Sequence, residues 1–574
     1  MSHRRALQFL RKPLVVTVAA TSVWAQQPTI PPPTIRVSTH MVLLDVVVTD
    51  KQGKAVSGLR PEDFVVEENG KVQKISSLTT LADKAASAPQ LPPGVYSNKP
   101  EYRSTGGPIT VMLLDAMNTP FTNQGYARRQ MLAFVQQQFK PTDRMAVFAL
   151  TGNLVVLQDL TSDPQALYAA LQKYKPQAQT FASSGQPETS GSASPTVGGV
   201  VTSLDASTPP LTDNSASASA KGGGASDAFF SAQQALAAFE GAQVAYVKDQ
   251  RAVATLNALG SIARILGGLP GRKNLIWITG ELPFSFIPED RVMTDAELAE
   301  DLPSMETRRV GEHAAGNYAA TFRASHAEEI REIAGKLASA QVAVYPVDAR
   351  GLSISTEIDS QETMREMARE TGGRAYVNQN EIRVGVERAF ADETAAYTIG
   401  YYPENKKYDN KYRSIKVKVK KDGVEVQNRR GYYAIDPTQI KGYNPQQEVT
   451  SALGDVVPST MVSFTAQVKP PAANSVPGKI GVTYLVDAST ISAEDASGGK
   501  HLNLIFYASI FSGGKIVSTN SQKVDQTFDA NTYQQIVQKG IMLHMDLDPK
   551  PGQLRLAVQD ARTGLVGTIN AAVP

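Results

Sequence analysis

The chain has 574 residues, 42% of them hydrophobic, and a formal net charge of +2. That length allows roughly three or four domains with real cores, and so balanced a charge offers no global attraction for nucleic acid. Cysteine is absent, which excludes disulfides, thiolate catalysis and Cys-ligated zinc.

In chain order, residues 1–25 read as an export signal. His3, Arg4, Arg5, Arg11 and Lys12 form a basic stretch before the short apolar run Leu14–Ala20, and Val23-Trp24-Ala25 fits a cleavage site. No later segment reaches the ~18 consecutive apolar residues of a membrane span. The expected location is the periplasm, the cell envelope or the exterior. Gln26–Pro33 reads as a Pro-rich linker. Residues 34–82 read as a β half-domain, in which Val42–Thr49 is apolar and β-branched and Asn69-Gly70 marks a hairpin. Ala82–Gly107 reads as a second linker.

From Pro108 strands and helices alternate. Ile109–Asp115, Arg144–Leu150, Asn274–Ile278 and Val342–Asp348 are short apolar runs of the kind buried on both faces of a parallel sheet. Gly125–Phe139, Asp163–Tyr174, Phe229–Leu266, His326–Ala340 and Thr363–Thr371 carry helical patterns, with a break expected near Gly241 or Gly260. Leu154–Leu157 and Arg374–Val377 read as further short strands. The alternation predicts a doubly wound, mostly parallel α/β domain over residues 108–394. Within it, residues 177–227 are rich in Ser, Ala, Gly, Thr and Pro and read as a disordered insertion.

After Ala395 the period returns to two. Residues 395–436 supply strands too few for a core of their own, so they are expected to complete the sandwich begun by residues 34–82. Pro437–Gln447 reads as a linker, and residues 448–574 as a C-terminal β-sandwich. The predicted fold class is therefore multidomain α/β plus all-β: an α/β domain inserted in one β-sandwich and followed by another.

Within residues 34–434 a series of motifs follows in a specific order and spacing. They are Asp115-Ala-Met-Asn-Thr119, Arg144–Leu150, Leu160-Thr-Ser-Asp163, Gly271–Gly280, Val347-Asp-Ala-Arg-Gly351, Thr371-Gly-Gly-Arg374, Gly400-Tyr-Tyr-Pro403 and Arg430-Gly-Tyr-Tyr433. Together this stretch resembles the von Willebrand factor A-related family of exported bacterial proteins. The resemblance implies a von Willebrand A-like domain and a metal-ion-dependent adhesion site, whose first loop is Asp-x-Ser-x-Ser, completed by a distant Thr and a second Asp. Here Asp115 and Thr119 keep the acid and the second hydroxyl. Met117 replaces the first Ser, and Thr279-Gly280-Glu281 lacks the second Asp. A thioether suits a hard cation poorly.

Open α/β sheets bind ligands at the carboxyl ends of their strands. Asp115, Glu281 and Asp348 all follow such ends, with Asn118 and Thr119 beside the first. Two readings stay open. In one, Asp115, Thr119, Glu281 and Asp348 hold Mg²⁺ or another divalent cation. In the other, Asp115 accepts backbone N–H groups and holds its own turn. The expected function is that of a non-enzymatic, adhesion-type interaction protein that offers Asp115, Asn118 and Thr119 to a protein or cell-surface ligand. One alternative is a metal-independent scaffold of the cell envelope that binds through the Phe229–Leu266 helix or the flexible insertion. Another is a secreted metal-assisted hydrolase. The hydrolase reading lacks a nucleophile–base pair: there is no Gly-x-Ser-x-Gly elbow, and the six histidines show no metal spacing.

Overall fold

The computed structural model describes residues 41–80, 90–102, 109–140, 143–176, 246–283, 329–330, 332–351, 358–378, 381–405, 407, 409, 411–434, 444–473 and 476–574. The segment read as an export signal and the Ser-rich insertion lie outside these residues. The chain enters through β1 (Val42–Asp50), β2 (Phe64–Glu68), β3 (Lys71–Gln73) and β4 (Ile75–Thr80). Asn69 at φ 48° and Gly70 at φ 76° make the tight turn between β2 and β3, as an Asn-Gly pair does at low steric cost. A fifth strand, β5 (Val95–Ser97), emerges from the stretch read as a linker.

The α/β segment contains β6 (Ile109–Asp115), α1 (Phe121–Gln137), β7 (Arg144–Leu150), β8 (Leu154–Thr161) and α2 (Pro164–Lys173). Helix α3 (246–266), β9 (Lys273–Thr279), helix α4 (332–339), β10 (Val342–Asp348), α5 (Ile358–Thr371) and α6 (Ile382–Thr394) follow. The strands form one sheet in the order β10-β9-β6-β7-β8. It is parallel except for β8, which runs antiparallel to β7. Every residue of β6, β7, β9 and β10 is buried. Alternate side chains point to opposite faces. Val111, Leu113 and Trp277 pack with Leu259, Leu337 and Met364 of α3, α4 and α5. Met112, Leu114 and Ile276 pack with Met131, Leu167 and Val386 of α1, α2 and α6.

Local chemistry explains the helix ends. Asp163 caps α2 by accepting the Gln165 N–H at 2.9 Å. One expectation needs correction: Arg374–Val377 forms no strand; Tyr376 alone bridges to Val347. Of the two places named for a break in the Phe229–Leu266 helix, Gly241 lies outside the described residues, and at Gly260 α3 runs on. A Cβ there would lie 3.0 Å from Ile333 Cδ1, so the glycine permits close packing of α3 on α4.

The chain then returns through β11 (Ala396–Tyr401), β12 (Tyr412–Val419), β13 (Val424–Asn428) and β14 (Gly431–Tyr433). These strands interleave with the first four in two sheets, β13-β1-β11-β4 and β14-β12-β2-β3. Leu44, Val46, Phe64, Val66, Ile399 and Tyr401 fill the space between them. Lys416 and Lys418 alternate with buried neighbours on the exposed side of β12.

Helix α7 (Pro445–Gly454) begins at its cap Asn444, so residues 444–447, read as linker, start a helix. The final region holds β15 (Phe464–Lys469), β16 (Ile480–Val486), β17 (Glu494–Ala496), β18 (Gly499–Ser512), β19 (Lys515–Phe528), α8 (Ala530–Lys539), β20 (Ile541–Leu547), β21 (Gln553–Asp560) and β22 (Val566–Ala572). Its two sheets are β20-β16-β15-β5 and β17-β18-β21-β22, with β19 paired to β18. Strand β5 thus belongs to this domain, with Tyr96 opposite Ala466. Asn98, buried just after β5, donates to the Ser459 and Val462 carbonyls at 3.0 and 2.9 Å and accepts the Phe464 N–H at 2.8 Å. Among the described residues, no helix is long and apolar enough to cross a membrane.

The amino end of the central sheet meets the first sandwich across buried cations. Lys273 is 0% exposed, and its Nζ donates to the Leu269 carbonyl at 2.7 Å. Burial, partly offset by Asp45, pushes its ammonium down to about 8. An unfolded lysine titrates near ~10.4, so below pH 8 the folded state carries a poorly solvated charge that costs about 3 kcal/mol. Between these two values the unfolded chain holds more protons, and stability rises with pH as the cost is relieved. Lys273→Met forfeits one hydrogen bond but removes the charge. It is expected to gain about 2 kcal/mol at pH 7 and to lose that advantage by about pH 10.5. Urea denaturation at the two pH values checks this.

Candidate functional site

Strand β6 ends at Asp115, and the chain turns sharply over the end of β7. The Ala116 and Met117 N–H groups both donate to the Leu150 carbonyl, at 3.0 and 3.1 Å. From α1, Gln124 Nε2 donates to the Ala116 and Thr119 carbonyls, each at 2.9 Å. The β6–α1 loop is therefore held from below and behind.

Asp115 is surrounded by donors. Its Oδ1 accepts the Asn118 N–H at 2.9 Å. Its Oδ2 accepts Asn118 Nδ2 at 2.8 Å, the Trp277 indole N–H at 3.0 Å and the Thr279 hydroxyl at 2.9 Å. Two of the donors come from β9, the neighbouring strand, so the carboxylate ties two strand ends together. Burial raises its pKa, and the four donors oppose that shift. Burial, helped by the nearby Asp115 charge, pushes the Tyr174 hydroxyl up to about 12.

Around Asp115, Thr119 Oγ1 accepts the Gly280 N–H at 2.9 Å. The Glu281 N–H donates to the Asn118 carbonyl at 3.1 Å, and the Thr279 hydroxyl also lies 2.8 Å from the Glu281 carbonyl. Any side chain at 280 would press on this seam, since a Cβ would lie 2.9 Å from Pro120 Cδ and 3.0 Å from the Asn118 carbonyl oxygen. Arg251, on α3, completes the group. Its Nε donates to Asn118 Oδ1 at 2.9 Å and its terminal nitrogen to Glu281 Oε1 at 2.6 Å.

Asp115, Asn118, Thr119 and Glu281 thus share one network. Asp348 does not join it. It sits opposite Thr279 in the β9–β10 register, but its carboxylate takes the Arg350 backbone N–H and both Arg350 Nε and its terminal nitrogen, each at 2.9 Å. Gln361 adds a fourth donor at 3.2 Å. The expected exposure is also corrected. Asp115, Asn118 and Thr119 are 2%, 1% and 2% exposed, so none faces a ligand, whereas the Glu281 side chain is 32% exposed.

A hard divalent cation needs free oxygen ligands near octahedral positions. This donor set does not fit one. Asp115 is engaged by N–H and O–H groups, Thr119 Oγ1 holds the Gly280 N–H, Met117 is a buried thioether, and a guanidinium lies between Asn118 and Glu281. Among the described residues, no group of three or more His, Asp or Glu side chains is arranged to hold a metal ion.

Sequence reasoning missed Arg251, Trp277 and Thr279. One clue to Arg251 was present. It precedes Thr255, Leu259 and Ile262 on the buried stripe of α3, and a cation on an apolar face requires an acceptor nearby.

No family model matches the chain, and no curated protein matches it. Among solved structures it is similar to the pilus adhesin SpaC from Lactobacillus rhamnosus GG in its open conformation. The identity is 9% and the TM-score 0.25, over 90% of this chain and 70% of that one. Similarity at that level carries no argument about fold or function.

Proposed function

We propose that this chain is an exported, non-enzymatic interaction scaffold built on a von Willebrand A-like domain, and that it works without a bound metal. In this reading Asp115, Asn118 and Thr119 hold the carboxyl edge of the sheet in shape, and a protein or cell-surface ligand meets the surface above them, where Glu281 is accessible. The observation that carries the reading is the saturation of a buried Asp115 by four protein donors. A carboxylate satisfied in this way serves as a structural tie.

The firm joining of α3 to the last domain favours a scaffold over a set of loosely tethered binding modules. Arg264 on α3 donates to Asp455 at 2.8 and 3.2 Å, and Lys336 on α4 reaches Glu448 of α7 at 2.8 Å. Calorimetric titration of the full chain with Mg²⁺ and Mn²⁺ tests the metal-free reading. No saturable heat is expected at millimolar metal, and none in Asp115→Ala. Saturable binding abolished by Asp115→Ala would overturn it.

A further inference from the structure

Helix α3 delivers a buried charged group, Arg251, to a place where two loops converge. The Arg251 side chain is 7% exposed. It spans Asn118 Oδ1 on the β6–α1 loop and Glu281 Oε1 on the loop after β9, at 2.9 and 2.6 Å. The Asn118 side of the cradle is itself held in place. Asn118 Nδ2 donates to Asp115 Oδ2 at 2.8 Å and to Thr255 Oγ1 at 3.1 Å, and the Thr255 hydroxyl donates to the Arg251 carbonyl at 2.7 Å. Oxygens on two separate loops meet two N–H groups of one planar guanidinium, a directional fork that a spherical cation lacks.

We infer that Arg251 is a built-in cation seated in a guanidinium-specific cradle, and that this tethered group takes over the work a diffusible ion does in a metal-dependent edge. The inference rests on the metal-independent reading above. It assigns Arg251 as the positioning residue for the edge and Asn118 with Glu281 as its receptor.

Trp277 reports on the cradle, because its indole N–H lies 3.0 Å from Asp115 Oδ2. The chain has two tryptophans, so a Trp24→Phe background leaves Trp277 as the sole tryptophan, read by exciting indole selectively. In that background Arg251→Ala is expected to shift the Trp277 emission and to lower the melting temperature by roughly 5 °C. Methylguanidinium at about 10 mM should restore both, by refilling a cradle of matched shape. It should change nothing in the Arg251 parent or in the Arg251→Ala/Glu281→Gln double variant. Absence of recovery, or recovery by Mg²⁺ in place of methylguanidinium, would overturn the inference. Should Arg251→Ala fail to fold, Arg251→Lys decides: with charge kept but the fork lost, it should melt below the parent, and melting at the parent temperature would refute a guanidinium-specific seat. Metal binding by the unmodified chain would sink the metal-independent reading, and the methylguanidinium response reports separately on the cradle.

Discussion

Asp115→Ala is expected to lower the unfolding free energy by about 4 kcal/mol. Four donors lose a shared acceptor at once; the Thr279 hydroxyl can still turn to the Glu281 carbonyl and Asn118 Nδ2 keeps Thr255 Oγ1, but the Trp277 indole is fixed on β9 where it cannot turn to water. Asp115→Asn keeps the volume and one acceptor oxygen but points an amide donor at other donors, so a loss of about 1–2 kcal/mol is expected. The pH dependence supplies a second signature. Because burial raises the Asp115 pKa, there is a window above the ordinary carboxylate range in which the folded state still holds a proton that the unfolded chain has released. Through that window this group's contribution to stability falls as pH rises, and Asp115→Asn removes the slope. Urea denaturation followed by Trp277 fluorescence measures all three chains. A metal-ligand role predicts the opposite ranking in metal-free buffer: relieving a repulsive acidic group would leave Asp115→Ala as stable as the parent or more so.

The sequence located this edge because a buried parallel strand is a simple object. Ile109–Asp115 and Val342–Asp348 are apolar runs that stop at an acid, and their bounds could be read residue by residue. What the acids do there was not legible. Their roles depend on partners far along the chain: Trp277 and Thr279 for Asp115, and Arg251 for Glu281. Asp348 illustrates the opposite case, since its partner Arg350 is two residues away, yet its strand-end position alone placed it with the wrong group. Short elements were also illegible. Strand β5 has three residues and no period to detect, and it earns its place by pairing with β15, some 370 residues later. Helix α7 was hidden because Asn444-Pro445 reads equally well as a turn or as a cap followed by the first helical residue.

Gly268→Ala is expected to be more disruptive still, because it strikes the junction between α3 and the last domain. A Cβ at 268 would lie 1.8 Å from the Thr460 carbonyl oxygen and 2.6 Å from its carbon. Those are backbone atoms and cannot step aside. Thr460 is locked in turn: its N–H donates to the Arg264 carbonyl at 3.0 Å, its hydroxyl to the Ile265 carbonyl at 2.9 Å, and that hydroxyl accepts the Gly268 N–H at 2.8 Å. Thr460 also bridges to Gly567, at the start of β22. Accommodating one methyl group therefore requires the end of α3 and the C-terminal sandwich to part, at a cost of about 4 kcal/mol or more. The neighbouring Gly267→Ala is the matched control. Its Cβ meets mainly the Met461 side chain, at 2.7 Å, and a flexible thioether can repack for about 1–2 kcal/mol. Calorimetry of the full chain should show Gly268→Ala unfolding in two separated transitions, because the salt bridges from Arg264 and Lys336 cannot hold the junction once its backbone contacts are broken. Gly267→Ala should keep the parent profile with a small downward shift. If the two variants melt alike, the junction is soft, and the view of this chain as a rigidly coupled scaffold fails with it.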